Sequence, residues 1–584
     1  MNNKENRGAK TRKKLISGIL CAVIFLSILT ACAGNSGTSD SSKAQNSAAA
    51  AKTNEQKLHT LTVCAAKDAG DITAVFLNTS TGKTAAVKMK KNGEQGANNI
   101  FTCQGDVNLY NMVHVKFGEK SSMDVAFNSF ISGWYLKKDE LLPYITGKEP
   151  VYDTKFETKA LKFDGRDKLV YIYTPQNYDK SAEDKYSVIY MFDGQSILTT
   201  GKDRGMDNDT VCWNVAEHLE SMMSVTDNKA IIVGIENNDF YRWDELVPDL
   251  GDINTEKEPE NVKPEELTKK RGSDFANFVC DTVMPYVNEN YNVYTDAEHT
   301  ALAGSSLGGL ETFYTVLSHP DKFGTGGVMS ATFDMYADKQ WTDFLKDKIN
   351  MDNAPFLYFY AGRYNGDNGD VSQTMYNRLI DDGYSKDKLV FNKNETGEHM
   401  IEYWRGIYPE FLEAVFTQNV AGLEFGSPVQ YKDTSDPLEK MLKELELDPS
   451  KIEPGYIYYD NSETKWDKVY AYWWGGMAFN SFTKEPYYFS EWPGFQMERI
   501  DNSDIYRIKA PWGNQGIIFD SGVTDREVSE GKEAFQTTDI PYNNDLIGKL
   551  YKIDMSVEPK ADPGVMKSKR RYSAGNWSDY SAEK

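Results

Sequence analysis

Between residues 151 and 420 the chain alternates between short runs too apolar to face water and longer stretches with one apolar side. KLVYIYTP, KYSVIYMFDG, KAIIVGIEN, HTALAGSS and APFLYFYAG are of strand length, with apolar residues at consecutive positions. A strand reads that way when both faces of its sheet are covered. Between them lie WNVAEHLESMM, GSDFANFVCDTVMPYVNENY, GLETFYTVLSHP and SQTMYNRLIDDGY, each spacing its apolar residues as a helical stripe. Strand and helix alternating in this way indicate a mostly parallel sheet with flanking helices, an α/β unit. The strand KLVFNK and the helix IEYWRGIYPEFLEAVF close it.

At 584 residues the chain is too long for one core, and its flanks differ from this central pattern. Residues 1–31 run from the basic RGAKTRKK into the apolar LISGILCAVIFLSIL, a secretory signal too short for a stable membrane span. The tetrad Leu29-Thr30-Ala31-Cys32 resembles the lipobox of bacterial lipoproteins, which implies lipidation at Cys32 and an anchor on the extracellular face of the cell membrane. Residues 32–56 are small and polar and read as a flexible linker. Residues 57–150 hold strand-like runs such as LHTLTVCAA, ITAVFLN and MVHVKFG, divided by turn residues, and are expected to form a β domain. A hydrolase-like unit over 151–420 is followed by a helical linker over 421–451 and an aromatic-rich β-sandwich over 452–584.

The formal charge is −22, and it becomes −27 without the six Lys/Arg and one Glu of residues 1–31. A surface this acidic repels nucleic acid and favours neutral partners such as polysaccharides. After Cys32 only Cys64, Cys103, Cys212 and Cys280 remain, without metal-ligand spacing. A Cys64–Cys103 disulfide and buried free thiols are both open readings.

Gly304-Ser305-Ser306-Leu307-Gly308 fits G-x-S-x-G, a weak signal alone. Context strengthens it, because HTALA leads in as a strand and GGLETFYTVLSHP leads out as a helix. A nucleophile on such a turn needs glycines around it, since its backbone is strained and its neighbours pack closely. Ser306 is then the nucleophile, and the Leu307 N–H at the helix start faces the developing oxyanion. The bland alternative is a Gly-rich turn without chemistry.

Such a serine needs a base that follows it in the chain, and only His319 and His399 of the six histidines do. His319 lies at the far end of the helix that starts at Ser306, about 18 Å along its axis, and reads as a helix-end residue. His399 sits on a loop between a strand and the last helix and is the expected base. The acid should come from the loop GRYNGDNGDVSQ, where Asp367 is preferred and Asp370 or neither remains open. The second oxyanion N–H is expected from Gln195 in YMFDGQS, whose Asp193 reads equally as a turn-former. This chemistry calls for no metal or organic cofactor.

YIYTPQNYDKSAEDKYSVIYMFDGQ, AIIVGIENNDFYRWDEL, ALAGSSLGGLETFYTVLSHPDKFG and GEHMIEYWRGIYPEFLEAVF together resemble the esterase group of α/β-hydrolases. That group includes enterochelin esterase and the feruloyl and acetylxylan esterases of carbohydrate esterase family 1. The resemblance implies an α/β-hydrolase fold, ester hydrolysis, Ser306 as nucleophile and His399 as base. One position departs: the family often carries a carboxylate three residues after the Gly ending the fourth strand, and the residue there is Asn365. The acid has then moved to Asp367 or Asp370, or the triad is weakened and the chain is chiefly a surface binding protein. Hydrolysis of a siderophore ester is a third reading.

In the last region GYIYYDNSETKWDKVYAYWWGGMAFN, EWPGFQMERI and GIIFDSGVTDREVSEGKEAFQTTDI resemble the starch-binding modules of carbohydrate-binding families 25 and 26. The resemblance implies α-glucan binding, and sugar rings need exposed aromatic faces with polar groups at the rim. Along Val469–Trp474, Tyr470, Tyr472 and Trp474 share one strand face, and Ala471 and Trp473 share the other. Trp466, Tyr472 and Trp474 are the expected sugar contacts, whereas W-P-G-x-x-M reads as a structural turn.

Overall fold

The computed structural model describes residues 56–150, 156–197, 212–237, 241–253, 269–364, 366–367, 369–426, 443, 448–474, 479–484, 492–562 and 566–580. The signal segment, Cys32, Asn365 and most of the expected linkers lie outside them.

The central sheet has eight strands: β1 (Glu157–Phe163), β2 (Arg166–Tyr173), β3 (Ser187–Met191), β4 (Ala230–Ile235), β5 (Thr300–Ser305), β6 (Thr325–Met329), β7 (Phe356–Ala361) and β8 (Leu389–Lys393). Their order is β1-β2-β4-β3-β5-β6-β7-β8. β1 and β2 pair antiparallel, as do β2 and β4, and every other neighbouring pair is parallel. The strands β3 to β8 are buried at every residue, as consecutive apolar runs require. β2 departs from that expectation and alternates, because it belongs to the antiparallel end of the sheet.

The helices that flank this sheet include α1 (Gly194–Ile197), α2 (Val215–Met223), α3 (Arg242–Leu246), α4 (Leu307–Ser318), α5 (Gly369–Asp381) and α6 (Ile401–Thr417). One sheet face packs against α4, α5 and the helical stretch 272–290, through Phe275, Leu310, Phe313 and Met375. The other packs against α2 and α6, through Val215, Leu219, Ile407 and Phe411. β6 lacks an apolar run, and its Gly326-Gly327 pair is poor strand sequence. Those glycines make room for the helices. A Cβ on Gly327 would lie 2.6 Å from the Phe411 ring of α6, and one on Gly326 3.0 Å from Val316 of α4.

Residues 58–144 form two sheets, of five strands and of four with a short additional pairing, around one core containing Val63, Phe76, Val113 and Trp134. This region docks on α6 through buried polar groups. Asn111 Nδ2 donates to Glu410 Oε1 (2.9 Å), Asn128 Nδ2 donates to the Pro409 carbonyl (2.9 Å) and Arg405 Nη2 meets Glu140 (3.0 Å). The disulfide alternative is overturned: Cys64 pairs with Ile100 and Cys103 with Leu61 in the strand register, and both thiols are free.

From Tyr456 onward, two mixed sheets contribute to one core, with Ile457, Tyr459 and Tyr551 from one and Trp473, Ile517 and Phe519 from the other. This region meets α3, where Arg526 Nη1 donates to Asp244 Oδ2 (3.0 Å) and the Tyr241 hydroxyl lies 3.3 Å from Glu530.

Candidate active site

All the elements of interest converge at the C-terminal ends of β3, β5, β6, β7 and β8, where an open α/β sheet places its ligands. Ser306 joins β5 to α4 with φ 58° and ψ −124°, a conformation that L-residues rarely adopt. Three glycines permit it. A Cβ on Gly304 would sit 2.5 Å from the Gly308 carbonyl oxygen, and one on Gly309 2.7 Å from the Met329 oxygen. The Ser306 N–H donates to that same Met329 oxygen (3.0 Å), which ties the turn to β6. Leu307 is the first residue of α4, where helix geometry provides its N–H with no intrahelical acceptor and the helix dipole favours negative charge.

The turn after β3 lies against the start of α4, since a Cβ on Gly308 would come within 3.1 Å of Asp193 Oδ2. Asp193 also has positive φ, 54°. Arg242 of α3 clamps its carboxylate bidentately (2.7 and 2.8 Å), and its N–H donates to Asn237 Oδ1 (2.9 Å). The Gln195 side chain grips the Asn237 backbone, donating to its carbonyl (2.8 Å) and accepting from its N–H (3.1 Å). Asn237 Nδ2 in turn donates to Glu245 (3.2 Å), which pairs with Lys168 (2.7 Å) in the interior. Burial pushes the Glu245 carboxyl up, against the pull of Lys168. Asp193 is therefore the turn-former, and its fixed turn presents the Gln195 backbone.

Of the two candidate acids only Asp367 faces the histidine. It is buried, and its Oδ2 accepts from Ser330 Oγ (2.7 Å) and from the Gly362 N–H (2.8 Å). Its Oδ1 lies 3.8 Å from His399 Nδ1. Asp370 stands instead in the first turn of α5, 77% exposed, paired with Lys393 at 2.5 Å. It is turned away from the imidazole, which corrects its candidacy. Two further residues, Trp404 and Ser330, complete this side. Trp404 Nε1 donates to Ser330 Oγ (2.9 Å), and the His399 ring meets the Trp404 ring edge-on at 5.0 Å. Trp404 lies in the GEHMIEYWRG stretch that carries the family resemblance, whereas nothing local singles out Ser330. His319 caps the far end of α4, outside this group, and burial lowers its pKa.

The aromatic residues of the last region separate only in part as the strand faces predict, because Tyr470, on the face of Tyr472 and Trp474, is buried. Trp473 is core, Tyr472 is half-buried beside Trp492 (5.6 Å), and Trp474 is 40% exposed. Trp466 is 7% exposed and stacked on Tyr459 at 5.3 Å. The Asn461 side chain bonds both its N–H and its carbonyl (2.9 Å each), so Trp466 is largely a core residue, with part of its surface on a neighbouring cleft. The W-P-G turn is structural, because Gly494 (φ 90°) lies against the strand where a Cβ would be 2.4 Å from the Ala471 oxygen. A cleft of about 720 Å³, lined by Trp466, Lys468, Tyr470, Gly522, Glu527 and Phe535 among others, opens in this region away from Ser306.

Residues 163–404 match the family model described as "Putative esterase", which supports ester hydrolysis as the class of chemistry. The Bacillus subtilis (strain 168) protein YjcH is 24% identical over 270 residues, covering 45% of this chain and 96% of that one. An endo-1,4-beta-xylanase/feruloyl esterase of Xylanibacter ruminicola is 23% identical over 150 residues, 26% of this chain and 19% of that one. A ferulic acid esterase structure from Anaeromyces mucronatus aligns with TM-score 0.33 and 18% identity, over 47% of this chain and 94% of that one.

Proposed function

We propose that this chain is a serine ester hydrolase, lipid-anchored through Cys32 on the outer face of the cell membrane and acting on or near polysaccharide. The observation that carries the reading is the positive-φ Ser306 between β5 and α4, at the same sheet edge as a buried Asp367 whose free oxygen faces His399. Ser306 Oγ attacks the ester carbonyl while His399 Nε2 takes its proton, and Asp367 favours the tautomer with the proton on Nδ1. The oxyanion is stabilised by the N–H groups of Leu307 and Gln195. Collapse breaks the ester C–O bond, His399 returns the proton to the leaving alkoxide, and water repeats the sequence on the acyl-serine. Tyr472 and Trp474 would hold an α-glucan chain. The relative that joins a xylanase to a feruloyl esterase supports the association with polysaccharide.

The 3.8 Å between Asp367 and His399 favours a second reading, a slow hydrolase in a protein that chiefly captures starch. A fluorophosphonate probe and p-nitrophenyl acetate separate the two. Labelling of the Ser306 peptide, with turnover lost in Ser306→Ala, supports the enzyme. Amylose retention without either result supports the binder, and activity on a siderophore ester without glucan retention supports the third reading.

A further inference from the structure

The loop that carries His399 is held mostly by its own region. The Asn394 N–H donates to the Ala361 carbonyl (2.9 Å), the Gly397 carbonyl accepts from the N–H groups of Arg363 (2.8 Å) and Tyr364 (3.0 Å), and the His399 N–H reaches the Tyr364 carbonyl (3.3 Å). One anchor comes from the N-terminal β region. Thr396 Oγ1 donates to Asp124 Oδ2 at 2.7 Å, and the other oxygen of that buried carboxylate is bonded to His114 Nδ1 at 2.8 Å. Thr396 Oγ1 also lies 2.9 Å from Asn394 Oδ1, but a hydroxyl has one proton and the carboxylate is the stronger acceptor. The same segment reaches past the histidine, since a Cβ on Gly406 of α6 would sit 3.2 Å from both the Asp124 carbonyl oxygen and Val125. Residues 124–125 thus touch the chain three residues before His399 and seven residues after it.

Placement matters here because the imidazole stands 3.8 Å from Asp367 Oδ1, about 1 Å beyond hydrogen-bond length. A displacement of that size changes rates by up to about a hundredfold. We propose that Asp124, braced by His114 and bonded to Thr396, is a positioning residue for His399, so that the N-terminal β region is a working part of the hydrolytic site. This inference rests on the assignment of Ser306 and His399 as nucleophile and base.

The test uses the full chain and p-nitrophenyl acetate, comparing wild type with Ser306→Ala, Thr396→Val, Thr396→Ser and Asp124→Asn. Thr396→Val keeps the shape and removes the hydroxyl, and it should lower kcat about tenfold or more with KM within about twofold. Thr396→Ser should restore kcat to within about twofold of wild type, which a merely structural role for the threonine methyl would not do. Should Thr396→Val fail to fold, Asp124→Asn gives the same reading by weakening the bond from the other side. An active wild type whose Thr396→Val variant folds and keeps its kcat overturns the positioning role and leaves the hydrolase reading intact. A wild type that neither turns over ester nor labels at Ser306 overturns both.

Discussion

Glu410 joins the N-terminal region to α6 and offers a quantitative test of that seam. It is fully buried, with Oε1 accepting from Asn111 (2.9 Å) and Oε2 from the Tyr358 hydroxyl and Asn392 Nδ2 (2.8 Å each). Burial pushes its carboxyl up to about 7 from an ordinary 4.5, outweighing the three donors that pull it down. The folded chain therefore holds this proton more tightly than the unfolded one. The stability it contributes is complete below about pH 4.5 and is lost as pH rises through about 7. A separation of about 2.5 pH units corresponds to about 3 kcal/mol, or roughly 5–10 °C in Tm for a folded unit of this size. His218 works in the opposite sense, because burial lowers its pKa to about 3 and its contribution grows as pH rises toward 6.5. Wild type alone would mix these effects with that of Glu413, which burial also pushes up to about 7, so the perturbation is Glu410→Gln, which is neutral at every pH. Unfolding of both proteins is followed by fluorescence at pH 5 and at pH 8. Stability of the variant relative to wild type should rise by up to about 3 kcal/mol between those two values, on top of a constant offset from the amide. A difference that is flat across the range, or that falls, refutes the argument that burial outweighs the donors at Glu410.

Asp367→Asn should lower kcat on p-nitrophenyl acetate by about a hundredfold or more with little change in KM, while Asp370→Asn stays within about twofold. Gly327→Ala should cost about 1–3 kcal/mol in chemical denaturation, because the new methyl meets the Phe411 ring, and a neutral result would mean that α6 can shift freely. Trp474→Ala should weaken retention on amylose with unchanged Tm, whereas Trp466→Ala should lower the stability of its core by about 3–5 kcal/mol. Arg526→Ala leaves Asp244 buried without its cation and should cost about 3 kcal/mol, read as a fall in Tm.

The buried strands were legible because a run such as FLYFYA has no other soluble use, and the Ser306 turn was legible because its glycines are local. β6 was not, because the reason for Gly326-Gly327 lies in α4 and α6, far away in sequence. The acid remained open for a related reason. Asp367 and Asp370 share one loop, and only the start of α5 at Gly369 turns the second outward. The burial of Trp466 was not legible because a tryptophan beside a strand reads the same whether its ring faces solvent or stacks on Tyr459. Ser330 carries no local signature, since its role exists only once Trp404 and Asp367 come together around it.

The appended regions meet the central sheet at different parts of the proposed machinery. The N-terminal region touches the loop of His399, while the last region touches α3, a helix of five residues with three separate tasks. Its Arg242 holds the Asp193 turn, its Asp244 takes Arg526 and its Glu245 takes Lys168 and Asn237. A flexible linker alone would raise the local concentration of polysaccharide and leave its direction random. The Arg526–Asp244 pair changes that, because a carboxylate taken out of water binds its partner in one geometry and pays heavily for losing it. Any disturbance of that docking would reach the oxyanion turn through one helix.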